Sequence, residues 1–516
     1  MLKKLLNNLL FGKYSPVIFF AVSAVGVLFN YGYRFGYVFV DNSTFKYFSF
    51  SMFIAAVVLT VFLLAASSLK MKNSDICNKK PFMAVQGIAE IFSIIYIIVD
   101  AVNYITGGKE SAPVGLRLAA EILPFWAGIV CIAFLLFIFP NIKKGTAKKA
   151  VAGVISLALI VSVYSALFPV APFKFTALPS VFDNGTDYAV VFSTSDNSAG
   201  YIEYDYNGEH IKKFDSDNGR KRGSSTIHAI HVPYEQLSGN SYKVGATRVI
   251  DELSYGGRSG KTIESDYIDF NDNFGDEIDV LTVSDWHTYN EKAKEAVSYL
   301  GDYNAVILLG DAAPGMMFEA EAEDYILAFA SDLTSGAMPV IFARGNHETR
   351  GRQADDLSAY LGMKDFYYTA SLGDYNIIVL DSGEDKKDDH PEYGGMVTYE
   401  QNRKDMVNWL NTLENSDGKK TIALSHSDEI CIEEDMSQTA HNKLDELGVS
   451  ILLSGHLHEF DFKNEHAYPT LIDGGINANG KGTFVASKVV LTPENIVVTS
   501  VDNHGETVID ETVLWR

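Results

Sequence analysis

Between residues 278 and 460 five short apolar runs, each long enough for a buried strand, end in a polar piece, and that recurrence constrains the fold more than any other feature of the chain. Ile278 to Val283 runs into Asp285-Trp286-His287, Ala305 to Leu309 into Gly310-Asp311, and Pro339 to Ala343 into Gly345-Asn346-His347-Glu348. Thr421 to Leu424 runs into Ser425-His426, and Val449 to Leu453 into Gly455-His456-Leu457-His458. Helix-like stretches lie between them, such as Glu291 to Leu300, Tyr399 to Leu413 and Thr439 to Leu447. Strand, loop and helix in repetition predict an α/β sheet, whose ligands collect outside the carboxyl ends of the strands. All five polar pieces are therefore expected on one rim.

That rim carries three acidic or amide oxygens and four imidazoles, enough for two divalent cations sharing one bridging carboxylate. Such donors suit Mn²⁺, Fe²⁺ or Zn²⁺, and the absence of thiolates argues against a Cys-type structural zinc site. Two cations ~3.5 to 4 Å apart lower the pKa of a bridging water toward neutrality and stabilise an in-line phosphoryl displacement. They also offset the charge of a phosphate ester that acidic surroundings would repel. The surroundings are acidic: of 42 Lys/Arg and 65 Asp/Glu, residues 1–170 hold 15 and 6, and the remainder holds 27 and 59. A C-terminal part so short of clustered Lys and Arg is not expected to bind nucleic acid by phosphate neutralisation. Cys77, Cys131 and Cys431 are too few for a disulfide framework.

The first 170 residues read as an α-helical membrane bundle. Apolar stretches at 16–33, 48–69, 82–105, 118–139 and 151–169 come close to the ~20 helical residues that span a bilayer core. No small-residue cleavage site follows the start Met1-Leu2-Lys3-Lys4, so the first stretch is expected to remain as a span. Lys3, Lys4 and Lys13, then Lys70, Lys72, Lys79 and Lys80, then Lys143, Lys144, Lys148 and Lys149 fall on one side of the spans. Only Arg34 with Lys46, and Lys109 with Arg117, fall on the other. The excess marks the cytoplasmic side, so the N-terminus is expected inside and everything after Pro169 outside the cytoplasm. Glu90, Asp100 and Glu121 lie in or near the spans, where charge often marks function. An ion pair or interhelix contact is the simpler reading, with Arg117 one turn before Glu121.

Residues 171–276 alternate with period two, as in Tyr188 to Ser193, Gly200 to Tyr204, Ile227 to Val232 and Tyr242 to Val249, with turns at Asn207-Gly208 and Asp217-Asn218-Gly219. This predicts a small antiparallel sandwich. His228 and His231, three apart on a strand, are expected to be solvated.

The five motifs, in this order over about 278–460, resemble the calcineurin-like metallophosphoesterase superfamily. The resemblance implies an α/β metallophosphoesterase sandwich over 277–516, with β-sheets flanked by helices. It implies one cation held by Asp285, His287, Asp311 and His458, and a second held by Asp311, Asn346, His426 and His456, with Asp311 bridging. His347 would be the general acid to the leaving oxygen or a hydrogen-bond donor to the phosphoryl group. The runs Gly200 to Tyr204, Ile227 to Val232 and Ser241 to Ala246 resemble the fibronectin type III-like domain of purple acid phosphatases. Those enzymes carry Gly at the position of His287 and a tyrosinate at that of Pro314, so a colourless enzyme is expected. Other members carry an Asp at the Pro314 position that orients the catalytic His; Glu348 or an acidic loop residue is expected to substitute.

The whole reads as a membrane-anchored, extracytoplasmic phosphoesterase whose partners are a phosphate ester and the bilayer. A non-catalytic phosphate-binding receptor, or a transporter or sensor with an accessory phosphatase, are the alternatives. Trp286 could stack on a leaving group or simply pack beneath the site. Arg344, Arg350 and Arg352 could clamp phosphate, with solvation the simpler role. Asp388-Asp389-His390 reads as surface loop, and His441 as a surface helix residue.

Overall fold

The computed structural model describes residues 12–36, 43–106, 126–136, 138–142, 145–167, 172–253, 256–415 and 419–516, and the chain divides into two compact units, Met1–Pro172 and Phe173–Arg516. The N-terminal unit is helical, with helices Ser15–Gly36, Ser43–Met71, Lys80–Thr106 and Thr146–Leu167 and a further one over 126–136. Two stretches, Ser51–Met71 and Lys80–Ile98, are long and apolar enough to cross a membrane.

The five expected spans thus become two among the described residues. The first run lies in helix Ser15–Gly36, whose apolar stretch is described over Ser15–Leu28, and the rest of that run falls on side chains outside those described. The runs at 118–139 and 151–169 extend into residues outside those described, as do the side chains of Asp100 and Glu121. Glu90 is buried and accepts hydrogen bonds from Ser15 Oγ (2.6 Å) and Gln86 Nε2 (2.7 Å), so it ties two helices together.

The C-terminal unit is built on two sheets. The first holds β1 (Phe175–Asp183), β2 (Tyr188–Tyr206), β3 (Ile278–Val283), β4 (Ala305–Leu308) and β5 (Pro339–Phe342). The second holds β6 (Tyr375–Leu380), β7 (Lys420–Ser425), β8 (Val449–Ser454) and β9 (Thr470–Ile472). Strands β3, β4 and β5 are parallel and end flush, with Val283 opposite Leu308 and Leu308 opposite Phe342. In the second sheet β6, β7 and β8 are parallel, with Leu380 opposite Ser425 and Leu424 opposite Leu453. Flush carboxyl ends bring the following loops to one edge.

Both faces of these strands are covered, which is why they read as unbroken apolar runs. Ile377 and Val379 of β6 point into the core shared with Val280, Val306 and Val340 of the first sheet. Their neighbours Ile378 and Leu380 pack instead under Met406 and Leu410 of helix Tyr399–Thr412 and Ala440 and Leu444 of helix Glu434–Glu446. Ala293 and Ala296 of helix Asn290–Val297 join the shared core from outside the first sheet. The arrangement is a mixed α/β sandwich.

The stretch expected as a fibronectin type III-like sandwich has its own core around Val190, Phe192, Tyr204, Ile230 and Tyr242. Its strands nevertheless extend the first sheet: β1 pairs in parallel with β5, Val181 opposite Pro339, and antiparallel with β2. Strand β5 needs a partner for its outer backbone groups, and β1 supplies it. The sheet therefore runs on past residue 276. His228, expected to be solvated, is fully buried there between Asp215 Oδ2 (2.9 Å) and Ser198 Oγ (2.8 Å). His231 is exposed and bonded to Asp187 (2.9 Å).

Candidate metal centre

Asp285, His287, Asp311, His456 and His458 all take positive φ, at 49°, 36°, 59°, 69° and 50°. L-residues with side chains this large rarely adopt that conformation, and such strain persists only where the surroundings over-determine it. Here the backbone is tied from loop to loop. Asp285 N donates to Gly310 O (2.9 Å), His287 N to Asp311 O (3.0 Å), and Gly455 N to His426 O (2.9 Å). Glu348, fully buried, accepts from the backbone of Asp311 (2.8 Å), Ala312 (2.6 Å) and Gly345 (2.9 Å) and so staples two loops together. Gly345 and Gly455 are required by close approach: a Cβ at either would collide with Asp311 or Ser284.

The donor atoms converge around two carboxylates. Asp311 Oδ2 lies 3.3 Å from His426 Nε2, 3.6 Å from His287 Nε2 and 3.8 Å from His347 Nε2. Asp285 Oδ1 lies 3.6 Å from His458 Nε2 and 3.9 Å from His287 Nε2. Asn346 Oδ1 lies 3.1 Å from His426 Nε2 and 3.2 Å from His456 Nδ1. One group thus gathers Asp285, His287 and His458, and a second gathers Asp311, His426 and His456, each with donor atoms within 4.8 Å of one another. All seven expected ligands meet at this edge.

Surrounding groups set which ring nitrogen faces inward. His426 Nδ1 donates to Leu309 O (2.7 Å) and His458 Nδ1 to Ile476 O (2.7 Å), so each Nε2 is directed at the cluster. Ser284 Oγ (2.5 Å) and His456 N (2.8 Å) both donate to Asp285 Oδ2. Asp311 Oδ1 accepts from His347 N (2.9 Å).

Whether these residues fit a pair of cations is decided by what they lack. Asp285 Oδ1 is buried and has no hydrogen-bond partner, although it faces two imidazole nitrogens. A buried carboxylate oxygen left so costs several kcal/mol unless a positive charge satisfies it. The Asn346 amide points the same way. Turned over, it would donate to Asp311 Oδ2 (3.2 Å) and accept from Arg350 Nη2 (2.7 Å), the arrangement favoured by protein atoms alone. With its oxygen inward, it lies beside the Asp311 carboxylate and accepts from protonated His426 Nε2 (3.1 Å), and a cation that displaced this proton would meet the same oxygen. The donor set fits two divalent ions.

Charge within the cluster is strongly coupled. Burial opposes ionisation of Asp311, but the imidazoles of His426, His347 and His287 outweigh it and hold the carboxyl far below its usual range. Burial likewise opposes protonation of His426, and Asp311 outweighs that, so the ring holds a proton well above the usual range. His347 goes the other way. Burial, opposed by Asp311 and aided by Arg350, lowers it to about 4.

The partner that orients His347 is not the one expected. Its Nδ1 bonds to the backbone carbonyl of Pro314 (3.0 Å), and its Nε2 faces Arg350 Nη1 (2.9 Å). Glu348 is occupied with backbone N–H groups instead. Position 314 thus does orient the ring, through a main-chain atom that residue identity does not reveal.

A cavity of about 360 Å³ opens beside Asn346, His426 and His456 and runs between the 382–385 and 427–432 loops toward Lys463 and His466. His441 forms part of its wall. Expected on the surface, it is buried, bonded through Nδ1 to Tyr468 OH (2.8 Å) and stacked on His466 at 3.6 Å. Trp286 packs beneath the site, stacked on Phe329 at 5.0 Å with Nε1 on Tyr325 O (2.8 Å). Asp388 accepts from Glu400 N (3.2 Å), at the start of helix Tyr399–Thr412.

Residues 278–460 match the family described as calcineurin-like phosphoesterase. No curated protein matches the sequence. Among solved structures, a purple acid phosphatase from yellow lupin seeds is similar over 65% of this chain and 73% of its own, at 15% identity and a TM-score of 0.43. A dimetal phosphatase from Danio rerio is similar over 46% of this chain and 99% of its own, at 15% identity and a TM-score of 0.35. A phosphopantetheinyl hydrolase from Mycobacterium tuberculosis is similar over 39% and 89%, at 16% identity and a TM-score of 0.28.

Proposed function

We propose that the calcineurin-like metallophosphoesterase domain of this chain, a hydrolase of phosphoric ester bonds, works outside the cytoplasm from a membrane anchor and cleaves phosphomono- or phosphodiesters with two divalent ions. The observation that carries the reading is the buried, partnerless Asp285 Oδ1 within a converging set of imidazoles and carboxylates. Asp285, His287, Asp311 and His458 would hold one ion, and Asp311, Asn346, His426 and His456 the other. When bound, such a pair supplies a water of lowered pKa and positive charge opposite the phosphoryl oxygens.

The protein's own residues do the rest. The strained, cross-tied loops hold the ligand atoms in advance, so no reorganisation is needed at the moment of reaction. His347, fixed at Nδ1 by Pro314 O with Nε2 3.8 Å from Asp311 Oδ2, would turn Nε2 to a phosphoryl group bound there. The negative charge of an ester there favours protonation of Nε2, which then donates to a phosphoryl oxygen or to the leaving oxygen. The neighbouring cavity takes the alcohol portion of the ester. With Pro314 where a tyrosinate would colour the site, iron-loaded protein should lack a visible band, and such a band would remove this part of the reading.

Anchoring is supported by the apolar helices Ser51–Met71 and Lys80–Ile98, and outward orientation by the Lys-rich flanks. A reporter fused after Arg516 should be active only outside the cytoplasm; activity only inside would overturn the orientation. For the chemistry, a panel of mono- and diesters offered to the detergent-solubilised full chain should yield at least one metal-dependent turnover. Two bound metal equivalents without turnover on any of them would favour a phosphate-binding protein instead.

A further inference from the structure

Three arginines flank the third motif, and their surroundings separate them. Arg344 is spent on Asp381, with Nε at 3.1 Å and Nη2 also in contact, and stacks over Phe366. Arg352 donates to Met317 O (3.0 Å) and lies over Phe318. Arg350 alone reaches the metal rim, with Nη1 2.9 Å from Nε2 of His347, itself 3.8 Å from Asp311 Oδ2.

Arg350 is also held in a manner suited to presentation. Its Nε and Nη2 grip Glu384 side-on, Nη2 at 3.0 Å from Oε2. That leaves Nη1 turned toward the site. Glu384 is buried and fixed in turn by Tyr393 OH (2.8 Å), Thr349 Oγ1 (3.3 Å) and Arg403 Nη1 on its carbonyl (3.3 Å). A guanidinium gripped on one edge by a buried carboxylate loses little freedom when its other edge meets an anion. The side chain remains about one-third exposed, at 32%, so a ligand in the site can reach it.

We propose that Arg350 is a phosphoryl-binding residue and Glu384 its positioning residue, so that Nη1 passes from His347 Nε2 to a non-bridging oxygen of the bound ester. The proposal rests on the phosphoesterase reading and adds a recognition element supplied by the protein rather than by metal. An imidazole lone pair is the weaker acceptor, and an anionic oxygen displaces it as the partner of a charged donor. Release of Nε2 from Arg350 at the same moment frees His347 to act on the ester.

The test is calorimetric titration of inorganic phosphate into Mn²⁺-loaded full-length protein, with metal content measured on the same samples. Arg350→Ala should weaken phosphate binding about ten- to a hundredfold, the range of a charge-assisted hydrogen bond, while bound Mn²⁺ stays at the wild-type level. Arg350→Lys keeps the charge without the fork and should fall between. Glu384→Gln should weaken phosphate less than Arg350→Ala and raise KM more than it lowers kcat, which a merely structural loop contact would not do. Phosphate affinity unchanged within about twofold in Arg350→Ala, with metal retained, would overturn the proposal, as would wild-type protein that binds no phosphate. If Arg350→Ala loses its metal, Arg350→Lys decides on the same criterion. A wild-type enzyme that binds phosphate through Arg350 but hydrolyses nothing would instead remove the catalytic reading and leave this one standing.

Discussion

Two buried histidine–carboxylate clusters in the C-terminal unit differ in whether protein atoms complete them. Around His228 every polar atom has a partner: Nδ1 on Asp215 (2.9 Å), Nε2 on Ser198 (2.8 Å), the other Asp215 oxygen 3.4 Å from Arg222 Nε. At the rim, Asp285 Oδ1 has none, and three imidazole nitrogens surround one oxygen of Asp311. The first cluster is closed and needs nothing; the second is open and needs cations. The same residue types are thus closed by protein atoms in one region and left open in the other, and satisfaction of the polar groups tells them apart.

The comparison breaks most visibly if the open cluster tolerates a lost ligand. Asp285→Ala should cost the chain one bound ion and lower turnover about a thousandfold or more, read by metal analysis and ester hydrolysis. At the closed cluster the cost falls on stability. His228→Ala leaves Asp215 Oδ2 without its partner, though Arg222 still faces Oδ1, and should destabilise the unit by about 1–3 kcal/mol in thermal unfolding, with metal content unchanged. Loss of metal in that variant would erase the distinction.

A smaller effect sharpens it. Ser284→Ala removes the hydroxyl that steadies Asp285 Oδ2 and should weaken metal binding by about ten- to a hundredfold, measured by competition with a chelator. Proton linkage comes last in size. His426, raised by Asp311, holds a proton that an incoming cation must displace, so metal affinity should rise with pH across neutrality and saturate only once the ring is deprotonated in the metal-free protein. The slope approaches tenfold per pH unit for each proton displaced; an affinity independent of pH from 6 to 8 would mean the ring is already neutral.

The strand-end motifs were legible because each sits after an unbroken apolar run, and buried parallel strands leave little freedom for where their carboxyl ends go. The identity of His347's partner was not legible, because Pro314 contributes a carbonyl and every residue but its side chain is alike in that respect. His441 and His228 misled for another reason. Their helix and strand were read correctly as elements, but which face is covered depends on Tyr468, His466, Asp215 and Ser198, residues 13 to 30 positions away in sequence. The pairing of β1 with β5 joins positions about 158 apart, Val181 and Pro339, and local periodicity carries no trace of it. In the helical unit, apolar length alone pointed to five spans, and the length test is met by two helices among the described residues.

The central claim is that the open cluster is a dinuclear phosphoester-hydrolysing site bridged by Asp311. It is tested most directly by hydrolysis of an aryl phosphate and a bis-aryl phosphate by full-length protein with Mn²⁺, beside Asp311→Asn. The account predicts turnover that requires metal, stops with chelator and is lost in Asp311→Asn. Turnover that persists in Asp311→Asn, or none in wild-type protein carrying two Mn²⁺ per chain, would contradict it.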